Sequence, residues 1–144
     1  PLDEGFAKAG GGKGLGSFDV APFVRVSLGD DVEACRVPIK EHLALYIGGM
    51  GARDKNFYND FAKRLGYTDA AAEIQDLFLA GRKAEAAAKV PDQLVDDIGL
   101  IGPRDRIVER LSVWKEAAAK GHVGTLVVAG ATVEALRIIA EEVL

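Results

Sequence analysis

Cysteine occurs once in the 144 residues, at Cys35, and histidine twice, at His42 and His122. A single thiol forms no intrachain disulfide, which fits a reducing cytoplasm. Cys35 falls on the apolar side of a helical pattern and reads as a small core residue rather than a reactive thiol. No C-x-x-C or H-E-x-x-H spacing occurs, so neither a structural nor a catalytic zinc site is expected. A G-x-S-x-G nucleophile elbow is missing as well. No apolar run reaches the length of about 18 residues that a membrane helix needs, and no signal peptide is visible. Net positive charge is also lacking. Eighteen Lys and Arg against 22 Asp and Glu leave a formal charge of −4. That balance argues against nucleic acid or an anionic membrane as partner.

What remains is the composition of a globular domain, 49% apolar, long enough for one core. The chain begins with Pro1 rather than Met, which suggests processing or the tail of something longer. Glycine crowds the start, in Gly10, Gly11, Gly12, Gly14 and Gly16. Residues 1–17 are therefore expected to be a flexible linker. Gly12-Lys13-Gly14 is not a phosphate loop, because position 7 is Ala and Ser or Thr does not follow the lysine.

Residues 18–53 should hold a strand and a helix. Val24, Val26 and Leu28 alternate with Phe23, Arg25 and Ser27, and Pro22 stands near the strand start. Asp30, with Glu33 three residues on, is expected to cap the helix that follows. Val32, Cys35, Ile39, Leu43 and Tyr46 form its apolar face, and Pro38 inside it should kink or split it.

The least generic stretch is Leu43 to Phe61, LALYIGGMGARDKNFYNDF. Three glycines in four residues stop a helix. Arg53 and Asn56 follow the break and could present donors to a substrate or another subunit. The plainer reading is a turn between helices with the aromatics as packing.

Residues 54–97 read as a helical block without a strand, running Lys55 to Leu65, then a helix capped by Thr68, then an alanine-rich helix and a short one opened by Pro91. Glu73, Asp76, Asp92, Asp96 and Asp97 look like solvated helix faces. Residues 98–144 read as strand–helix–strand–helix. Ile98 to Ile101 would be a short buried strand and Pro103 the first helical residue. Thr125 to Ala129 would be a strand buried on both sides, and Thr132 would cap the last helix. A parallel pair with a right-handed crossover is the natural arrangement of this unit. Trp114 reads as core, while His42 and His122 read as boundary residues rather than catalysts.

An α/β chain with about three strands leaves sheet edges open, so this one looks like part of a larger sheet or barrel. The runs LALYIGGMGARDKNFYNDFAKRLGY and AAAEIQDLFLAGRKAEAAAKVPDQLVDDIGLIGP, then a helix and TLVV, resemble the C-terminal part of luciferase-like monooxygenases. The similarity is to their deazaflavin (coenzyme F420) oxidoreductase branch.

The resemblance implies the last three strands of a (β/α)8 TIM barrel, at 20–28, 98–101 and 125–129, with residues 54–97 as a helical insertion. It implies an enzyme moving a hydride between F420, or FMN as the alternative, and a small organic substrate. The parent would be a cytoplasmic homo-oligomer. The family's cofactor contacts lie mostly on earlier strands, so the chain alone should be inactive and bind no cofactor tightly. No catalytic residue and no metal site is carried over. Gly102, at a strand's C-terminal end, is a candidate cofactor-binding position at the barrel mouth. Arg53 and Asn56 are candidates for substrate or subunit contact. The competing expectation is a non-catalytic α/β interaction or dimerisation module.

Overall fold

The computed structural model describes residues 2–144. Among the described residues, three strands and eight α-helices follow one another as α1 (Leu2–Ala9), β1 (Phe23–Leu28), α2 (Val32–Ala44), α3 (Phe57–Arg64), α4 (Thr68–Leu79), α5 (Lys83–Ala88), α6 (Asp92–Ile98), β2 (Gly99–Gly102), α7 (Arg104–Ala119), β3 (Val127–Ala129) and α8 (Val133–Val143). The three parallel strands and the helical block between the first two match the expected architecture.

Strand order differs from expectation. The sheet runs β2-β1-β3, with Val26 opposite Leu100 and Val24 opposite Val128. β2 and β3 are thus not the adjacent pair that their sequence neighbourhood suggested. Burial explains the arrangement. Successive strand residues face opposite sides of a sheet. Val24, Val26 and Leu100 pack with Ile107 and Leu111 of α7 and with Ala135, Ile138 and Ile139 of α8. Arg25, on the other face, reaches His42 of α2. Helices therefore cover both faces of β1. Carrying the α7 crossover past β1 buries a face that three strands would otherwise leave in water, at about 1.5–3 kcal/mol per large apolar side chain.

A second core joins α2 to the helical block. Cys35 and Ile39 pack there with Ile74, Ala86, Val90, Leu94, Val95 and Ile101. Cys35 is buried, as its spacing suggested.

Several local expectations are corrected. Leu2–Ala9 is helical, with Asp3 and Glu4 in its first turn and Lys8 in its last, and Phe6 meets Phe18 edge-on at 5.4 Å. Gly10, Gly11 and Gly12 follow it with positive φ, and Leu15–Ser17 forms a short 3₁₀ turn. β1 starts at Phe23, because Pro22 lacks a ladder donor. Asp31, not Asp30, caps α2, accepting from the amides of Glu33 and Ala34. α2 runs unsplit through Pro38. Thr68 is the first residue of α4 rather than its cap, and Pro103 is the cap of α7 rather than its first residue. Thr132 does cap α8, accepting from the Ala135 amide at 3.2 Å.

Candidate functional site at the C-terminal edge of the sheet

All three strands are parallel, so their C-terminal ends share one edge. Ligands bind at that edge in open α/β sheets and in barrels. Here it carries a cleft of about 570 Å³ lined by residues from all three strand ends and the helices that follow, among them Gly29, Asp30, Pro103, Arg104, Thr132 and Arg137. The volume lies in the range of small-molecule sites.

Gly102 stands at this edge, where the resemblance placed it. Its φ is +103°, and its carbonyl accepts from the Gly29 amide at 3.2 Å. A Cβ at this position would lie 2.9 Å from Arg106 Cδ and 3.1 Å from Val32 Cγ2. Glycine is therefore demanded by backbone angle and by close packing.

Arg106 is itself held. Its Nη2 lies 2.9 Å from Asp96 Oδ2, and Arg36 Nη2 lies 2.6 Å from the same oxygen. Asp96 is not a solvated helix residue, since its side chain is only 13% exposed. Burial works against its ionisation. The hydrogen bond from Arg36 and the charge of Arg106 outweigh burial and hold the carboxyl below its ordinary pKa. Arg36 on α2 and Arg106 on α7 bring the two charges to this carboxylate from separate helices.

Charge in the cleft is mixed. Arg104 and Arg137 face Asp30, Glu134 and Glu141, and Arg104 already pairs with Glu141 at 3.0 Å. The first amides of α7 have no partner one turn back and favour an anion. A phosphate-bearing cofactor arm would thus meet some donors here. The carboxylates oppose it, and the lining offers a flavin-like ring little beyond Leu28 and Ile138. The residues of this chain do not by themselves fit a whole deazaflavin or flavin.

The Leu43–Phe61 stretch is built differently. After α2 the helix widens into a π turn at Leu45–Gly49. Phe78 of α4 lies against it so closely that a Cβ on Gly48 would meet Phe78 Cβ at 2.5 Å, and one on Gly49 would meet the ring. The glycine pair is a seat for that phenylalanine. The carbonyls freed at the end of the turn are met by Asn56, whose Nδ2 donates to Tyr46 O at 3.0 Å and Ile47 O at 2.9 Å. Its Oδ1 caps α3 by accepting from the amides of Tyr58 and Asn59. Asn59 Nδ2 donates to Ile47 O and Ala71 O.

Asn56 is 1% exposed, so the expectation that it presents its amide to a ligand or subunit is corrected. It is a two-sided structural clamp. Arg53 is exposed, as expected, and its side chain pairs with Asp76 of α4. The structure brings Arg53 and Asn56 to one end of α3, and Gly102 lies elsewhere. His42 hydrogen-bonds Arg25, and burial followed by that charge lowers its pKa and favours the neutral imidazole. Among the described residues no cluster of side chains could hold a metal ion, and no helix is long and apolar enough to cross a membrane.

Three parallel strands, with helices on both faces and a helical block between the first two, define an α/β fold of the (β/α) type. Residues 2–121 match the sequence profile of the luciferase-like monooxygenases, and the chain belongs to that family. It is 42% identical over 124 residues to a protein of Mycobacterium tuberculosis assigned, by name only, as a coenzyme F420-dependent oxidoreductase. That alignment covers 86% of this chain and 36% of the relative. The structure resembles the coenzyme F420-dependent tetrahydromethanopterin reductase of Methanopyrus kandleri with a TM-score of 0.64, at 22% identity, over 95% of this chain and 38% of that one. The second likeness establishes the fold, part of a TIM barrel. The chain spans little more than a third of the length of either relative.

Proposed function

We propose that this chain is the C-terminal part of a longer oxidoreductase that transfers a hydride between coenzyme F420 and a small organic molecule. FMN is the alternative cofactor. The observation that carries the reading is the 42% identity to the mycobacterial protein, which spans the unusual Leu43–Phe61 stretch as part of a 124-residue alignment. The edge cleft at Gly29, Pro103 and Thr132, next to Gly102, is the chain's contribution to the ligand face. It supplies donors for an anionic arm, while the ring is held by segments outside these residues. On this reading the chain alone binds neither cofactor tightly and has no turnover. The parent works in the cytoplasm as a homo-oligomer.

A second reading, a non-catalytic interaction module, is favoured by one observation. Phe57, Tyr58 and Phe61 stand exposed on α3. Titration of both the 144-residue chain and the longer protein with F420 and with FMN, followed by absorbance, separates the readings. Stoichiometric F420 binding by the longer protein supports the oxidoreductase. Absence of binding to either cofactor in the longer protein leaves the module.

A further inference from the structure

We infer that Asp96 is a positioning residue for the ligand edge. By holding Arg106 against Gly102 it fixes where the ends of β1 and β2 stand, and so how tightly the cleft takes the anionic arm of a cofactor. This deepens the proposed function and rests on its placing of that arm at the edge cleft.

The carboxylate sits where α2, α6 and α7 meet. Arg36 of α2 donates to it through Nε at 3.2 Å and Nη2 at 2.6 Å. Arg106, in the first turn of α7, brings Nη2 to 2.9 Å from Oδ2. Arg110, one turn further along α7, donates to the Asp96 backbone carbonyl. α7 is therefore clipped to the end of α6 at successive turns. Asp96 precedes β2 and Arg106 follows it, so their pair ties the two ends of that strand together. Among the described residues Asp96 is the acidic partner that Arg106 has.

What the tether holds is the Arg106 stem. Arg106 Cδ and Val32 Cγ2 close on Gly102 so nearly that no Cβ fits between them. The Gly102 carbonyl accepts from the Gly29 amide, which carries the pairing of β1 and β2 one step past Leu28 and Gly102. Gly29 and Asp30 line one wall of the cleft, and Pro103 and Arg104 line another. A shift of Gly102 therefore moves both walls. Arg104 pairs with Glu141 of α8 and passes the displacement to the third wall. Neither Asp96 nor Arg106 is part of the lining, so both act on a ligand through the position of other groups. The leverage is large, because a misplacement of about 1 Å can cost a site about 100-fold. Supporting hydrogen bonds and packing are what hold a site within that tolerance.

The test has two arms. The first is amide hydrogen exchange in the 144-residue chain. Asp96→Asn, and Arg106→Met, which keeps an apolar stem and loses the tether, should each speed exchange of the Gly29 amide by about tenfold or more. Asn56→Ala, a destabilising change that touches nothing in the cleft, should not. The second arm is absorbance titration of the longer protein with coenzyme F420 and with FMN. A misplaced cleft raises Kd while the number of sites per chain stays the same. Mere loss of stability lowers the number of competent sites and leaves Kd alone. Asp96→Asn and Arg106→Met should each raise Kd about fivefold or more at full stoichiometry, and the combined variant should be no weaker than the weaker single one, since both act through one tether. Asn56→Ala should leave Kd unchanged.

Unaltered Gly29 exchange in both edge variants overturns the tether, whatever the cofactor does. Faster exchange with unchanged Kd overturns the positioning role and leaves the oxidoreductase reading standing. Additive losses in the combined variant overturn action through Arg106. A longer protein that binds neither F420 nor FMN overturns the oxidoreductase reading and this inference with it.

Discussion

Replacing Asn56 by Ala removes two functions from one side chain. The cap on α3 goes, since Oδ1 no longer accepts from Tyr58 and Asn59, at about 1 kcal/mol. The donations to Tyr46 O and Ile47 O go as well. Ile47 O keeps Asn59, but Tyr46 O loses its side-chain partner at the end of the π turn, at about 1–2 kcal/mol. The expected total is about 2–3 kcal/mol. For a chain of this size that is on the order of 5–10 °C in Tm. Asn56→Ser separates the two functions. Serine caps nearly as well as asparagine yet cannot reach back to donate, so it should recover about 1 kcal/mol of the loss. Urea unfolding followed by circular dichroism, with the slope checked for constancy across the variants, reads both numbers. A loss below about 0.5 kcal/mol for Ala would refute the clamp. Equal losses for Ser and Ala would show that the cap contributes nothing.

Gly102→Val should cost at least about 2 kcal/mol, from a φ of +103° and a Cβ pressed on Arg106 and Val32. Thermal unfolding checks it, and an unchanged melt would mean that the strand end shifts freely. Gly49→Ala should cost about 1–3 kcal/mol by displacing the Phe78 ring, and the same substitution combined with Phe78→Leu, which lacks the ring atoms it would meet, should recover part of that loss. Asp96 has a depressed folded pKa, so its contribution to stability is present above the ordinary carboxyl value of about 3.9. That contribution is lost as pH falls from there through the folded value. Asp96→Asn should flatten the acid limb of the stability–pH curve, and an unaltered limb would place the titration elsewhere.

Much of the fold was legible because burial is periodic. Val24 and Val26 announced a strand face, and Ile107 and Leu111 announced the buried side of a helix. Strand order was not legible. Adjacent elements in sequence suggested that β2 and β3 pair, but pairing depends on which apolar face is left uncovered, and that is a property of the whole chain. The Leu43–Phe61 stretch was singled out correctly and misread in part. Asn56 follows a glycine break, as ligand-binding amides do, yet a π turn also frees carbonyls that need amide donors, and local spacing does not distinguish the two demands. Phe78, thirty residues on from Gly48, was invisible as the reason for the glycine pair. Asp96 was misread because its partners, Arg36 and Arg106, arrive from two other helices. Gly102 ends β2, as the strand pattern before it implied. Residue chemistry alone gave only a glycine before a proline.

We propose that this chain is part of an F420-dependent oxidoreductase whose ring-binding segments lie outside these 144 residues. The most direct measurement is an absorbance titration of coenzyme F420 into the isolated chain and into the longer protein that carries it, followed by addition of a reducing substrate to the latter. The account expects stoichiometric binding and bleaching of the cofactor in the longer protein, with no binding to the isolated chain at low micromolar concentration. Tight F420 binding by the 144 residues alone, or a longer protein that binds neither F420 nor FMN, would contradict it.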